Sequence, residues 1–199
     1  MIVRLEFAPG DVLRDDELQE RLGIGRTPIR EALQRLARDQ FVTVIPRRGM
    51  FVSSVDVDDL ALLYETRLVM EPYAARLAAS RGTAAHWDEM AGVIERSLRP
   101  GLAPEDLLDV DRRCHEIIWE AAGNHFLTDT LDALYAQSDR VWHLYLADVY
   151  DTRHAVDEHI EMLGHLRAGD PDVCAAAMTA HLQGFDDQVR AAVTARLAG

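Results

Sequence analysis

Arg26, Thr27 and Arg30 stand at the start of a predicted helix, where their side chains could read a nucleic acid. An arginine at the N-terminal end of such a helix can donate two hydrogen bonds to guanine O6 and N7, and each good pair adds about 1–3 kcal/mol of discrimination. Thr27 can donate to a phosphate or touch a thymine methyl group. The alternative is the solvated face of an ordinary amphipathic helix, which needs no ligand.

A basic turn follows that helix at a short distance. Arg47 and Arg48 lie between two predicted strands, 41–45 and 50–53, and the spacing predicts a hairpin. At its tip these arginines could grip phosphates or enter the minor groove, and Gly49 permits a close backbone approach. We therefore include all three residues among the candidate DNA contacts.

Two helices must hold the first set of residues in place. The first is predicted to begin near Leu13, with acidic residues in its first turn, and to end at Gly23. After a short bend, Thr27 could cap the second helix, whose apolar positions, such as Ile29, face inward. Helix, turn, arginine-rich helix and hairpin is the order of a winged helix-turn-helix, which we predict for residues 1–54.

Asp111 and His115 lie four residues apart, so a helix would present both side chains to the same side. His159 and His181 lie on two later predicted helices. One carboxylate and three imidazoles converging in a bundle would suit Zn²⁺, Ni²⁺, Mn²⁺ or Fe²⁺. Spacing alone does not single these residues out from the 8 histidines of the chain, and a lone histidine in a helix is more often a core or surface residue.

From residue 57 onward every segment has helical periodicity, broken by glycine and proline. We expect helices near 57–80, 84–98, 104–122, 126–148, 152–168 and 171–197. The predicted fold class is mainly α: an N-terminal winged helix-turn-helix with a small β-hairpin wing at 1–54, and a C-terminal all-α bundle of about six helices at 55–199.

The charge of the chain is divided between these two parts. The net charge of −13 argues against nucleic-acid binding when taken whole. Residues 1–54, however, hold nine arginines and eight acidic residues, whereas 55–199 hold twelve arginines and twenty-six acidic residues. Phosphates would be repelled by the second part, so only the first can approach DNA.

Composition narrows the class of protein further. No apolar run reaches the roughly 18 residues that a membrane helix needs, and the first residues lack the pattern of a signal peptide. Cys114 and Cys174 lie far apart, without metal-type spacing, and are interpreted as reduced buried thiols. We expect a cytoplasmic protein with no membrane association.

The stretch LGIGRTPIREALQRLARDQFVTVIPRRGMFV, which ends at Val52, resembles the DNA-binding half of GntR-family transcription regulators. Their signature runs close to LGVSRTPVREALxRLxxEGLVxxxPxRGxxV, and the resemblance covers residues 5–53. It implies that the residues matching Arg26, Thr27, Arg30 and Gly49 contact operator DNA.

The chain departs from that family pattern at three places. Gly25 replaces the usual Ser or Thr and so lacks a hydroxyl that could cap a helix or hold a phosphate. Asp16 stands where many members carry a DNA-binding arginine. Only eight residues precede the Pro9–Gly10 turn, so the first helix of the family domain is expected to be missing, or the chain start to be misassigned.

Residues 57–185 are similar to the FCD ligand-binding domain of the FadR subgroup in the same family. Members of this group that carry one Asp and three His bind a divalent metal, and a small carboxylate effector completes its coordination. The resemblance implies that Asp111, His115, His159 and His181 are the four ligands. The matching pieces are Tyr64 to Arg67 with Glu71, Asp111 to His115, Ala122 to Asn124, Glu158 and His159, Gly169 and Asp170, and Met178 with His181.

Three further residues are candidate effector contacts. Arg67 could receive an effector carboxylate in a bidentate pair, or instead form an internal ion pair with Glu71 at i+4. Asn124 could line the pocket or cap the helix that begins at His125. Arg140 is a weaker candidate, and the alternative is a solvated side chain.

These observations predict a ligand-responsive transcription regulator, most simply a repressor. As a homodimer it would bind double-stranded operator DNA, and a small carboxylate and a divalent metal would control it. We expect no enzyme. The alternatives are a metal and organic-acid sensor with impaired DNA binding, and a metal-dependent enzyme. The sequence has no His-Glu-x-x-His motif and no clear general base, which argues against the enzyme.

Overall fold

The computed structural model describes residues 1–55, 57–99, 101–145 and 152–198. The chain divides into two compact units, Met1–Asp56 and Val57–Gly199. Each unit is built around its own buried apolar residues, as expected for domains of this size. The last three residues of the predicted helix 126–148 lie outside the described residues.

The first unit is a helix-turn-helix with a small sheet. Its strands are all antiparallel, and β3 lies in the centre with β1 and β2 at the edges. In chain order the elements are β1 (Val12–Leu13), α1 (Asp15–Leu22), α2 (Arg26–Arg38), β2 (Val42–Ile45) and β3 (Gly49–Val52). The predicted winged helix-turn-helix is confirmed.

The turn between α1 and α2 follows from its glycines. Gly23 has a φ of 66°, a left-handed conformation that favours glycine, and its N–H bonds to the carbonyl of Gln19 to end α1. The extended Gly25 is the residue before α2 and offers no side-chain cap. The predicted cap at Thr27 is wrong, because Thr27 already lies inside α2.

The start of the first helix also differs from the prediction. Leu13 was expected to begin the helix but lies in β1, where it pairs with Met50 of β3, and α1 begins at Asp15. The reason is tertiary: this strand has two residues and no local signal, and its partner comes from much later in the chain. Leu13 is buried, so the pairing also places it in the core of the unit.

The core of the first unit fixes which face of α2 is exposed. Ile29 and Leu33 are buried on one face of α2, together with Leu18 of α1. Arg26 and Arg30 lie on the opposite, exposed face. This is the pattern of a helix that packs by its apolar stripe and presents its basic stripe outward.

The second unit is a bundle of six helices over its described residues, as predicted. They are α3 (Val57–Arg81), α4 (Ala84–Ser97), α5 (Pro104–Ala122), α6 (His125–Tyr145), α7 (Thr152–Ala168) and α8 (Pro171–Ala198). Gly123, with a φ of 64°, ends α5, and Gly169, with a φ of 73°, lies between α7 and α8. No described helix is long and apolar enough to cross a membrane.

Helices α3 and α5 are central to the bundle. The helix α3 packs against α5, α6, α7 and α8, while α5 also packs against α4, α6 and α7. Most of the residues buried between them are apolar, but a group of charged and imidazole side chains is buried with them. Buried polar groups need partners, and these partners build the site described next.

Candidate metal centre and nucleic-acid interface

Three helices bring together the four predicted metal ligands. Asp111 and His115 come from α5, His159 from α7 and His181 from α8, and we call these four residues the Asp/His cluster. One ligand atom from each lies within 4.8 Å of the other three, and every one of the side chains is buried. A one-turn separation on α5 places its two members on the same side, as the sequence predicted.

The distances within the Asp/His cluster suit one shared cation. His159 Nε2 lies 2.8 Å from Asp111 Oδ1, and His181 Nε2 lies 3.5 Å from the same oxygen. His115 Nε2 lies 3.1 Å from His181 Nε2 and 3.8 Å from Asp111 Oδ2. Two ligand atoms at about 2.1 Å from a metal ion stand about 3.0–3.4 Å apart at ordinary coordination angles.

Carboxylates fix the orientation of two of these imidazoles. His115 Nδ1 lies 2.6 Å from Glu71 Oε2, and His181 Nδ1 lies 2.8 Å from Glu158 Oε2. A carboxylate accepts a hydrogen bond from the ring N–H that it faces, so the proton of each neutral imidazole stays on Nδ1 and a bare Nε2 faces the cluster. This is the arrangement found around metal-binding histidines.

The close approach of these two Nε2 atoms needs a hydrogen or a metal ion between them. Two lone pairs that face each other at 3.1 Å repel unless a proton or a metal ion lies at one of them. Although burial alone would lower it, the pKa of His181 is raised to about 9 by hydrogen bonds to Asp111 and Glu158, so a proton is held there. The donor set of one carboxylate and three imidazoles also fits Zn²⁺ and the late first-row metals.

Asp111 is held ionised in the middle of the Asp/His cluster. Burial would raise the pKa of this carboxyl group, but the neighbouring imidazoles keep it well below its ordinary value. Tyr135 donates a hydrogen bond of 2.6 Å to Asp111 Oδ2, and burial raises the pKa of Tyr135 well above its ordinary range. Burial and the charge of His181 lower the pKa of His159 to about 4, so this imidazole is neutral, and its Nε2–H donates to Asp111 Oδ1. A metal ion at this nitrogen would displace that proton.

Of the two alternatives for Arg67, the structure shows the ion pair with Glu71, and effector binding stays a prediction. The Nε of Arg67 donates to Glu71 Oε1 at 2.5 Å, which is the internal ion pair. Although burial opposes it, the charges of Arg67 and His115 lower the pKa of Glu71 to about 2. The two terminal nitrogens of Arg67, Nη1 and Nη2, are buried and have no hydrogen-bond partner among the described residues. They are therefore available to a carboxylate.

Aromatic rings surround this guanidinium group. The Cζ atom of Arg67 lies 5.0 Å from the centre of the Tyr135 ring and 5.7 Å from those of Tyr64 and Trp142. Trp142 donates a hydrogen bond of 2.8 Å to the hydroxyl of Tyr64, which fixes two of these rings. The result is a dry, rigid setting in which an anion that reached Nη1 and Nη2 would be bound strongly.

The other two candidate effector residues have different surroundings. Asn124 Oδ1 accepts a hydrogen bond of 3.4 Å from the backbone N–H of Leu127, so the capping alternative is observed at the start of α6. Arg140 is buried on α6, which excludes the solvated alternative, and burial lowers its pKa. Effector contact remains a prediction for both residues.

Sequence reasoning missed several members of this site. The roles of Tyr135 and Glu158, and the aromatic rings of Tyr64 and Trp142 beside Arg67, were not predicted. The one local signal was Glu158 next to His159, since a carboxylate beside a ligand is placed to contact a neighbouring imidazole. Tyr135 and Trp142 are seven residues apart on α6 and so share a face, but nothing in the sequence says what that face meets.

The predicted DNA-contacting residues are exposed in the first unit. Arg26, Thr27 and Arg30 lie in the N-terminal half of α2, the end that points to base edges in helix-turn-helix proteins. Both arginines approach the same carboxylate: Arg26 Nε lies 3.1 Å and Arg30 Nε 2.8 Å from Asp15 Oδ2. Asp15 is one of the acidic residues in the first turn of α1, and the sequence does not predict its contact with these arginines.

The wing presents its basic residues at the tip between β2 and β3. Arg47, Arg48 and Gly49 are exposed, and the N–H of Arg48 bonds to the carbonyl of Ile45 to close the turn. Arg47 has a φ of 64°, in the left-handed region that residues other than glycine rarely adopt. Gly49, with a φ of 115°, occupies a conformation that requires glycine.

A helix-turn-helix with an exposed arginine pair, in one chain with a separate helical bundle that buries an Asp/His cluster, is the organisation of a DNA-binding regulator of two domains. The family model of bacterial regulatory proteins of the gntR family matches residues 1–52, and the FCD domain model matches residues 62–184. The chain belongs to the GntR family of transcriptional regulators and carries an FCD domain, as its sequence predicted.

Individual proteins agree with this assignment. The Nta operon transcriptional regulator of Aminobacter aminovorans is 30% identical over 98% of this chain and 93% of its own length. The HTH-type transcriptional repressor RspR of Escherichia coli is 27% identical over 95% of this chain and 84% of its own length. The solved structure of E. coli McbR/YncC has the same fold, with a TM-score of 0.85 at 22% identity, over 95% of this chain and 91% of that one.

Proposed function

We propose that this GntR-family regulator is a repressor whose helical domain binds a divalent metal ion and a small carboxylate effector. The observation that carries the proposal is the buried Asp/His cluster, which shares Glu71 with an arginine whose terminal nitrogens have no partner among the described residues. Most buried polar atoms in proteins have a hydrogen-bond partner, because a buried group without one destabilises the fold, so two unpaired nitrogens on one buried guanidinium favour a ligand there.

Asp111, His115, His159 and His181 would hold the metal ion. When bound, the ion supplies an electrophilic position to which one oxygen of a carboxylate coordinates. Glu71 and Glu158 would keep the imidazoles of His115 and His181 oriented toward the ion, and the burial of the site would keep competing water out. Zn²⁺, Ni²⁺, Mn²⁺ and Fe²⁺ all suit this donor set, and we leave the choice among them to measurement.

Arg67 would recognise the effector as an anion. Its Nη1 and Nη2 form the planar pair that a carboxylate accepts in a bidentate contact, and Glu71 already fixes the guanidinium through Nε. Arg140 brings a second buried guanidinium on α6. Asn124, which caps α6, is the least supported of the three proposed effector contacts.

The DNA-binding unit would read its operator as a dimer. Arg26, Thr27 and Arg30 would contact base edges and phosphates, while Arg47, Arg48 and Gly49 would contact the backbone or the minor groove. One small domain reads only a few base pairs, so a two-fold dimer on an inverted repeat is the usual route to specificity. Repression is proposed because the E. coli relative RspR is named a repressor. We place this activity in the cytoplasm.

The DNA-reading function is tested with a selected operator. Full-length protein would first select binding sequences from a library of random duplexes, and the result expected is an inverted repeat. Arg26→Ala with Arg30→Ala should then reduce affinity for the selected duplex by about a hundredfold or more, since each good arginine–guanine contact contributes about 1–3 kcal/mol. Unchanged affinity would exclude the proposal.

The matched control removes two arginines from the other end of the same helix. Arg35 and Arg38 are exposed and lie in the last turn of α2. Arg35→Ala with Arg38→Ala takes away the same charge, so it should weaken the selected and a scrambled duplex alike and leave their affinity ratio intact. If wild-type protein selects no sequence at all, the chain is a sensor with impaired DNA binding.

The metal site is tested by metal content. Protein stripped with a chelator and reloaded with Zn²⁺ or Ni²⁺ should bind one ion per chain, and His159→Ala with His181→Ala should abolish this. His125→Ala with His165→Ala is the control, because both residues lie outside the Asp/His cluster and should leave the stoichiometry at one. A double His159/His181 variant that keeps its ion would show that the site is misassigned.

A further inference from the structure

Asp15 lies where the two recognition arginines of α2 come together. It is the first residue of α1, and its Oδ2 accepts from Arg30 Nε at 2.8 Å and pairs with Arg26 Nε at 3.1 Å. Among the residues that the structure describes, neither arginine pairs with any other carboxylate. One oxygen of one side chain therefore orients both guanidinium groups.

The three side chains differ in their exposure. The side chain of Asp15 is only 17% exposed, whereas those of Arg26 and Arg30 are 63% and 59% exposed. The carboxylate is thus mostly covered, and the arginines of α2 contact it while they stay largely open to solvent. Because both contacts use Nε, the Nη1 and Nη2 edge of each guanidinium is left for a ligand.

We propose that Asp15 is a positioning residue for sequence recognition: it presents the Nη edges of Arg26 and Arg30 to guanine. This inference rests on the proposed DNA-reading function and deepens it. An arginine side chain loses much rotamer freedom when it binds a base, and a side chain already fixed by an ion pair loses less. Asp15 therefore acts on specificity, through the arginines, without touching DNA itself.

A second effect of Asp15 on DNA binding is electrostatic repulsion between its negative charge and the phosphates. A negative charge beside the DNA-reading face weakens binding to every sequence equally, because it acts on phosphates. Glu17 separates the two effects: it is exposed in the same first turn of α1 and makes no hydrogen bond or ion pair with a described residue. Asp15→Asn and Glu17→Gln change the net charge identically.

The experiment uses the full-length chain and two duplexes. One is the sequence that wild-type protein selects from a random library, and the other is a scrambled duplex of the same composition. Glu17→Gln should tighten binding to both by the same factor, which leaves their affinity ratio unchanged. Asp15→Asn should lower that ratio about tenfold, since two arginine side chains must then be ordered on binding.

Two further variants make the result specific. Asp15→Glu keeps a carboxylate within reach of both arginines and should keep the ratio within about threefold of wild type. In a background of Arg26→Ala with Arg30→Ala, Asp15→Asn should no longer change the ratio, because no arginine remains to be positioned. Thermal unfolding of each variant shows that the comparison is made on folded protein.

The outcomes separate this inference from the function on which it rests. If wild-type protein selects no sequence, the DNA-reading function itself fails. If a sequence is selected but Asp15→Asn and Glu17→Gln give the same affinity ratio, Asp15 contributes only charge and the positioning role is overturned. A tenfold loss with Asp15→Asn that persists in the background lacking both arginines would also overturn it.

Discussion

The three histidines of the Asp/His cluster differ in what the second ring nitrogen of each one meets. Nδ1 of His115 faces the buried Glu71, and Nδ1 of His181 faces Glu158, a half-buried carboxylate. Nδ1 of His159 is buried without a partner among the described residues. A carboxylate on the second nitrogen makes an imidazole a stronger and better oriented ligand. Of the three proposed histidine ligands, His115 and His181 are therefore the better oriented.

Glu158 offers a test at this scale, because it can be changed without leaving a buried charge. Replacing Glu158 with Gln removes the carboxylate that holds Nδ1–H of His181 while keeping its size. We expect metal affinity to fall about 10–100-fold, as for other carboxylates that orient a ligand histidine. Calorimetric titration of metal-free protein with Zn²⁺ measures the change.

The control for this variant lies on the same helix. Glu161 of α7 is exposed and makes no hydrogen bond or ion pair with a described residue. Glu161→Gln removes the same charge and should leave Zn²⁺ affinity within about twofold, because exposed charges at a distance are screened. Equal losses in the two variants would show that charge, and not orientation, explains the effect.

The backbone of Arg47, at the tip of the wing, has a strained conformation. Arg47 follows Pro46 in a turn closed by the N–H of Arg48, and its φ of 64° is one that glycine adopts freely and arginine does not. Strain of this kind persists where a side chain is needed for another purpose. Here that purpose is the proposed contact with DNA.

We predict that Arg47→Gly makes the protein more stable and a weaker DNA binder. Relief of the left-handed conformation should exceed the entropy cost of glycine and raise the free energy of unfolding by about 0.5–1 kcal/mol. Affinity for the selected duplex should fall about three- to tenfold, and the salt dependence of binding should lose about one phosphate contact. Denaturant unfolding and a salt titration of binding measure the two effects.

Arg47→Ala separates strain from contact. Alanine keeps the strained backbone but loses the charge, so DNA affinity should fall as in Arg47→Gly without any gain in stability. Should Arg47→Gly bind the selected duplex as tightly as wild type, Arg47 has no role in DNA binding.

At the scale of elements, the sequence predicted those parts that local chemistry determines. The long helices are predicted well because each has a clear period and a glycine or proline at its end, as at Gly123 and Gly169. The strand β1 was missed since two residues carry no period, and only pairing with β3 defines it. Thr27 was assigned as a cap because its residue type suits that role, but the helix starts at Arg26.

The candidate site shows the same division between local and tertiary information. Helical spacing predicts that Asp111 and His115 lie on the same side of α5, but it does not identify them as ligands. The choice of all four residues needed the family resemblance, because nothing local distinguishes the three histidines from the others. Contacts between helices, such as Tyr135 to Asp111, follow only from the packing of the bundle.

Gly82 tests the packing at the junction of α3 and α4. A Cβ atom at this position would lie 2.1 Å from Cζ2 of Trp87 and 2.7 Å from the carbonyl oxygen of Ala78. Because Trp87 is buried and the second contact is backbone, neither can move freely. We expect Gly82→Ala to lower the free energy of unfolding by about 1–3 kcal/mol, measured by denaturant unfolding.

Gly92, inside α4, is the matched control. A Cβ atom there would meet nothing within 4 Å, so alanine adds only helix propensity. Gly92→Ala should therefore raise the free energy of unfolding by about 0.5–1 kcal/mol. Opposite signs for the two substitutions support the described junction, and a stabilising Gly82→Ala would contradict it.

At the scale of the whole molecule, the proposed metal and effector site and the proposed DNA contacts lie in separate units. The described metal and effector candidates all lie in the acidic helical unit, and the candidate DNA contacts lie in the first unit. A ligand can change DNA affinity only if it binds unequally to two states of the dimer. The central claim is that effector binding in the helical unit and DNA binding in the first unit are coupled through one equilibrium between two states of the protein.

Metal removal should be visible in the stability of the full chain. Zn²⁺ at about a hundredfold excess over its dissociation constant should stabilise the folded protein by about 2.7 kcal/mol and raise its Tm accordingly. Asp111→Asn removes the ionised member of the Asp/His cluster and should abolish this rise. Differential scanning calorimetry with and without a chelator measures it, and an equal rise in the Asp111→Asn protein would place the metal elsewhere.

The most direct test of the central claim is the affinity of the metal-loaded protein for its selected duplex, with and without small organic acids. A panel of mono-, di- and tricarboxylates would be titrated against wild type and against His159→Ala with His181→Ala. We predict that at least one acid changes the DNA affinity of wild type by fivefold or more, in either direction, and leaves the double variant unaffected. If no acid changes the affinity of wild type, or if the double variant responds equally, the two sites are not coupled as proposed.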